Sequence, residues 1–98
     1  MRVIARSTLA KFWMRHSEAK APLEAWLQVC RKADWSGPTD IKTAFGVRVD
    51  FLPRNRVIFD LGGNKYRLVA VVLFRRKAIY IRFIGTHAAY DRIDARMI

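Results

Sequence analysis

The chain has 98 residues, enough for one domain spanning 1–98 and too little for two. Apolar residues make up 52%, which excludes a disordered tail, and the single cysteine, Cys30, excludes a disulfide framework or a cysteine zinc cluster. Lys and Arg number 19 against 8 Asp and Glu, and this net charge of +11 points to a polyanionic partner, either nucleic acid or an acidic protein surface. The opening apolar run, Val3 to Ala5, is flanked by Arg2 and Arg6 and so lacks a signal-peptide core. The longest apolar stretch, Leu68 to Phe74, falls far short of the ~20 residues that span a bilayer. A soluble, cytoplasmic protein is expected.

Val3-Ile4-Ala5 reads as a short strand with basic flanks. Ser7 is placed to cap a following helix, in which Leu9, Phe12 and Trp13 recur at the spacing of one buried face. His16-Ser17-Glu18 marks a break, and Pro22 suits the first turn of a second helix, where a missing amide hydrogen costs nothing. Leu23, Trp26, Leu27, Cys30 and Ala33 form that helix's apolar stripe, and Arg31 and Lys32 near its end complement the dipole. Asp34 to Pro38 stops it. A short third helix is expected over Thr39 to Phe45, ended by Gly46.

Beyond Gly46 the period changes to two. Val47 to Phe51 alternates as a half-exposed strand and Pro53 ends it. Arg56 to Leu61 is the next strand, and Gly62-Gly63 supplies the positive φ that a tight hairpin turn needs. Asn64 to Phe74 is a long strand whose centre is apolar on both faces, as a central strand with packing on each side would be. Arg75-Arg76-Lys77 turns into a last strand, Ala78 to Thr86, and the tail from Ala88 to Asp94 is expected to form one or two helical turns. The order predicts an α+β fold, with an N-terminal strand and two to three helices packed on a small twisted antiparallel sheet.

The positive charge leans toward the sheet. Residues 1–45 hold eight basic and four acidic side chains (+4), and residues 46–98 hold eleven and four (+7). Arg67 and Arg82 each interrupt an otherwise apolar strand, and a guanidinium there is costly unless it pairs with a carboxylate or faces a surface built for phosphate. Asp60, on the neighbouring strand, is the obvious carboxylate. Whether the two arginines share a face depends on the turn between the last strands. A two-residue Arg76-Lys77 turn sets Arg67 opposite Thr86 and Arg82 opposite Val71, on one face. A three-residue Arg75-Arg76-Lys77 loop separates the faces and sets Lys65 opposite His87.

Of the two histidines, His16 sits in a loop and reads as a surface or capping residue. His87 follows the last strand, at the rim of a rigid sheet, with Tyr90 three residues on; it either exchanges a proton near neutral pH or packs the C-terminal turn. No metal-ligand spacing accompanies it, no nucleophile-elbow motif is present, and Gly62-Gly63-Asn64-Lys65 is too short for a phosphate-cradling loop. Phe12, Trp13, Trp26 and Phe45 belong to helix faces. Trp35 either stacks a base or covers the core, and Tyr66 and Tyr80 fit cross-strand packing.

Four segments carry a resemblance over nearly the whole chain: Arg2-Val3-Ile4-Ala5-Arg6-Ser7-Thr8-Leu9; Lys32-Ala33-Asp34-Trp35; Asn55 to Phe59 with Gly62-Gly63-Asn64-Lys65-Tyr66-Arg67-Leu68; and Ile81 to Asp91, ending in Gly-Thr-His-Ala-Ala-Tyr-Asp. Together they resemble the HigB toxins of bacterial type II toxin–antitoxin systems, which have a RelE-like fold. The resemblance implies a metal-independent mRNA interferase that needs no cofactor and cleaves ribosome-bound mRNA in the A site. Attack by the substrate's 2′-hydroxyl would leave a cyclic phosphate. It also implies a HigA-like helix-turn-helix antitoxin, through which alone operator DNA would be reached. Carried onto this chain, it gives Lys65, Arg67, Arg82, His87 and Tyr90 catalytic roles, with His87 or Tyr90 as acid or base, and gives Asn64 a positioning role. Arg54, Arg56, Arg75, Arg76 and Lys77 would bind the RNA backbone. The rival expectations are a non-catalytic basic module that binds RNA or the ribosome, and an inactive toxin homologue.

Overall fold

The computed structural model describes residues 1–98. In chain order the elements are β1 (Arg2–Ile4), α1 (Arg6–Arg15), α2 (Lys20–Lys32), α3 (Pro38–Phe45), β2 (Val49–Leu52), β3 (Arg56–Leu61), β4 (Tyr66–Leu73), β5 (Ala78–Thr86) and α4 (His87–Tyr90), with short 3₁₀ turns at Ser17–Ala19 and Gly46–Arg48. The five strands form one sheet in the order β1-β5-β4-β3-β2. The α+β architecture expected from the sequence is present. The sheet is mixed rather than wholly antiparallel, because β1 runs parallel to β5, pairing Arg2–Ile4 with Ala78–Tyr80.

Period-two alternation divides the sheet into two faces. Val57, Phe59, Leu61, Tyr66, Leu68, Ala70, Val72, Ile79 and Ile81 turn toward the helices, where they meet Leu9, Leu23, Trp26, Cys30, Ile41 and Phe45 in the main core. Phe59 sits at its centre, with its ring edge-on to Trp26 at 5.4 Å and to Phe45 at 5.0 Å. Trp35 is buried against Phe45 and so covers the core. Burial pushes the Cys30 thiol up, leaving it a packing residue. The opposite face has no long helix. Ile58 and Val69 are sealed there by Phe83 of β5 and by Tyr90, Ala95 and Ile98 of the C-terminal segment.

Several boundaries differ from the sequence expectation. Ser7 caps nothing: α1 starts at Arg6 after Ala5, whose left-handed backbone (φ 72°) swings the chain off the sheet edge within one residue. Gly46–Arg48 tightens into a 3₁₀ turn, so Val47 is exposed and β2 begins only at Val49. Asn64 (φ 76°) and Lys65 belong to the hairpin turn, and β4 begins at Tyr66. The C-terminal helix is one turn that includes His87, its first N–H groups satisfied in part by Thr86 Oγ1, which accepts from the Ala89 amide at 3.1 Å.

Neither of the two expected β4–β5 registers holds throughout. Tyr66 to Val69 pair with Thr86 to Phe83 as the three-residue loop requires, and the His87 amide donates to the Lys65 carbonyl at 3.1 Å. Between Val69 and Ala70 a β-bulge shifts the ladder by one, so Ala70 to Leu73 pair with Ile81 to Ala78. Arg82 is the extra residue, with no partner on β4.

Because Phe59 is fully buried between two aromatic rings, truncation leaves a cavity the backbone cannot close. Phe59→Ala is expected to cost about 3–5 kcal/mol, read as a fall in the urea midpoint with an unchanged slope.

Candidate active site

Arg67 enters the face opposite the long helices from β4, directly opposite Asp60 on β3 and Gly85 on β5. Its Nε lies 2.9 Å from Asp60 Oδ1, the pairing foreseen for it, in a setting where the arginine side chain is only 11% exposed. Nη1 donates to the main-chain oxygens of Asn64 at 3.3 Å and Tyr66 at 3.4 Å. Nη2 makes no hydrogen bond to the protein and is not fully buried. Three acceptors thus hold two of the guanidinium nitrogens in place.

Gly85 makes room for this arrangement. A Cβ there would lie 2.5 Å from Phe83 Cζ and 3.3 Å from Ala89 Cβ, so any side chain would displace the ring that supports Tyr90. Phe83 and Tyr90 pack with centroids 6.4 Å apart, and Arg67 Cζ stands 6.0 Å from the Tyr90 centroid. Partial burial pushes the Tyr90 hydroxyl above its ordinary value. The Arg67 cation opposes the shift, and Asp50, Asp60 and Asp91 reinforce it. His87, half-exposed at the first position of α4, sets Nδ1 3.1 Å from Asp91 Oδ2. A carboxylate facing Nδ1 favours a proton there and leaves Nε2 as the ring's acceptor.

The remaining candidates distribute unevenly. Arg82, exposed at the bulge between Ile81 in the core and Phe83 on the open face, meets no carboxylate. Lys65 extends toward the helices instead, its Nζ 3.3 Å from Glu18, while Asn64 contributes its carbonyl to Arg67. Arg54, Arg56, Arg75, Arg76 and Lys77 gather at the opposite end of the strands, six residues of β4 from Arg67, or about 20 Å at the ~3.3 Å rise of a strand. Arg75 and Arg76 line a cleft of about 290 Å³ there with Asn55, Leu73 and Phe74. Arg54, exposed in the β2–β3 turn, gives its carbonyl to Arg56. Arg56 donates chiefly to the main-chain oxygen of Ile98, and Lys77 is held by Asp34 and the Trp35 carbonyl, both at 2.9 Å. That lysine keeps the Asp34 carboxyl below its ordinary range. Two residues beside Arg67 carried no role in the sequence reading. Gly85 and Asp91 both lie inside the Gly-Thr-His-Ala-Ala-Tyr-Asp run, and the i, i+4 spacing of His87 and Asp91 was the available signal for the second. No three His, Cys, Asp or Glu side chains converge on one point, and no helix is long and apolar enough to cross a membrane.

A small mixed sheet with its long helices on one face is a fold consistent with RelE-like toxins. A family model described as HigB_toxin, the RelE-like toxic component of a toxin-antitoxin system, matches residues 19–93, and the chain belongs to that family. Among curated proteins it is similar to the mRNA interferase HigB of Escherichia coli O6:H1 strain CFT073, 28% identical over 94 residues covering 95% of this chain and 91% of that protein. It is also similar to the mRNA interferase toxin HigB of Escherichia coli K12 and to the mRNA interferase HigB of Shigella flexneri. Each of these is 29% identical over 96 residues, covering 97% of this chain and 92% of the relative.

The opposed influences on Tyr90 are separable. The tyrosinate step lost in Tyr90→Phe, followed at 295 nm, is expected above pH 10, the ordinary tyrosine value. Since Arg67 stabilises the tyrosinate, Arg67→Met should move that step still higher, and a downward move would contradict the cation's role.

Proposed function

We propose that this toxin is an endoribonuclease that cleaves mRNA on the ribosome, in the bacterial cytoplasm, without a metal ion, and that a HigA-like antitoxin neutralises it. The observation that carries this reading is the Arg67 corner. Its guanidinium is held through Nε and Nη1 while Nη2 makes no hydrogen bond to the protein, with Tyr90 against it and the His87–Asp91 pair on the adjoining turn.

RNA supplies its own nucleophile. The 2′-hydroxyl gives up a proton and its oxygen attacks the adjacent phosphorus. The bond to the 5′-oxygen then breaks and that oxygen is protonated, leaving a 2′,3′-cyclic phosphate and a 5′-hydroxyl. Negative charge grows on the non-bridging oxygens as the phosphorane forms, and a guanidinium already fixed in place stabilises it without reorganising at that moment. Arg67 takes this role through Nη2, with Arg82 as the second cation, free of any carboxylate. His87 Nε2 accepts the 2′-hydroxyl proton while Asp91 supports the charge that appears on the ring. Tyr90, which its surroundings keep in the protonated form, donates to the leaving 5′-oxygen. Lys65 lies farther out beside Glu18 and serves the incoming backbone, as do Arg54, Arg75 and Arg76 at the far end of the sheet.

Substitutions at the two proton-transfer residues separate chemistry from binding. His87→Ala and Tyr90→Phe are each expected to lower cleavage of translated mRNA by about 10²–10⁴-fold, the usual worth of general acid–base catalysis, while RNA affinity falls less than threefold. Product ends should carry a cyclic phosphate, and a 2′-deoxy sugar at the scissile position should block the cut. Full cleavage by the doubly substituted protein would remove both residues from the site.

A further inference from the structure

One sheet edge is left open in a way the cleavage reading does not use. β1 covers β5 only at Ala78–Tyr80, so from Ile81 to Thr86 β5 has no outer neighbour. The ladder with β4 fixes which groups are free. His87 donates to Lys65, so alternate residues counting back from His87 turn toward β4. The amides of Ile84 and Thr86 and the carbonyl of Ile84 point outward, the Thr86 carbonyl being taken by α4, which it caps.

Alongside this edge runs a groove of about 630 Å³ between β5 and α1. Its α1 wall is the stripe Thr8, Lys11, Phe12 and Arg15 at i, i+3, i+4, i+7, with Met14 beside it, and Ile84 forms the β5 wall. Met14 is 82% exposed, an unusual position for a large apolar residue with nothing over it. Neither Lys11 nor Arg15 is engaged by a carboxylate, since the ion pairs of Lys and Arg are confined to Lys65, Arg67, Lys77 and Arg96.

We propose that this groove receives an extended, acidic segment of the antitoxin, which adds a strand to β5 at Ile84 and Thr86. Its apolar side chains would lie against Phe12, Met14 and Ile84, and its carboxylates would meet Lys11 and Arg15. The inference rests on the proposed antitoxin partner but not on the cleavage chemistry. An open edge of amides and a carbonyl beside an apolar wall suits a peptide backbone, whereas RNA has no alternating amide–carbonyl backbone to continue such a ladder. The groove also lies on the helix side of the sheet, away from the Arg67 corner, so occupancy need not involve the catalytic side chains directly.

The test uses the full chain with its own antitoxin, both purified, in a His87→Ala background so that the host survives expression. Lys11→Glu combined with Arg15→Glu should weaken antitoxin binding at least tenfold and flatten its dependence on salt. Without His87→Ala, the same pair should leave mRNA cleavage intact but no longer restrained by the antitoxin. Hydrogen exchange supplies a readout that needs no substitution in the groove: the Ile84 and Thr86 amides should exchange freely in the toxin alone and become protected in the complex. Unchanged affinity, or amides that stay unprotected, overturns the proposal. So does a double substitution that spares antitoxin binding and instead weakens RNA binding, which would make the groove a nucleic-acid surface. A chain that binds its antitoxin through these amides yet cuts no RNA sustains the groove and overturns only the cleavage reading.

Discussion

A partly buried guanidinium with two anchored nitrogens is the constraint around which the open face is organised. Arg67 cannot lie in a strand of otherwise apolar residues unless its charge is answered, and Asp60 answers it from the adjacent strand at 2.9 Å. Had all five donors been satisfied in this way, the arginine would be purely structural. The geometry leaves the two donors of Nη2 out. Asp60 and two main-chain carbonyls consume Nε and Nη1, and Nη2 makes no hydrogen bond to the protein, on a guanidinium that stands against Tyr90. An ion pair that at first counts against a phosphate-binding role therefore becomes what holds the group in a fixed direction, which charge stabilisation in a transition state requires.

The bulge at Arg82 makes the rest of the corner possible. A regular ladder from Leu73–Ala78 onward would set Arg67 opposite a different residue. The extra residue shifts the upper half by one, which brings Gly85 opposite Arg67 and lets Phe83 support Tyr90. A Cβ there would force the Phe83 ring to move, because that ring already fills the space. The same irregularity leaves Arg82 without a pairing partner on β4 and exposed, on the strand that leads directly into His87. One inserted residue thus serves two ends: it aligns a packed arginine and frees another.

Much of this was legible in the sequence, and the exceptions share a cause. The helical stripe from Leu23 to Cys30, the Gly62-Gly63 turn and the Asp60–Arg67 pairing follow from local periodicity and from the cost of an unpaired charge, both of which are written in neighbouring residues. The Arg67–Arg82 relation was not legible, because parity arguments assume an unbroken ladder and nothing in Val69-Ala70 or Arg82 announces a bulge. Ser7 has the chemistry of a cap but stands two residues late, since the tertiary need to leave the sheet edge at Ala5 decides where α1 starts. The parallel pairing of β1 depends on where α1 and α2 return the chain, a long-range property that three residues cannot encode.

Charge and chemistry occupy different parts of the molecule. Of 19 basic side chains only Lys65, Arg67, Lys77 and Arg96 are paired with carboxylates, so internal ion pairs neutralise little of the +11. Exposed cations of this kind act over about a Debye length of 8–10 Å and speed encounter with any polyanion, but they do not choose a bond to break. The cluster at Arg54, Arg75 and Arg76 lies some 20 Å along the strands from Arg67, a span of several nucleotides, with the C-terminal segment packed on Ile58 and Val69 between them. An RNA strand touching both ends must therefore pass around that segment rather than flat across the sheet. The far cluster then sets how tightly a polyanion is held, and the Arg67 corner alone sees the phosphorus at which charge develops.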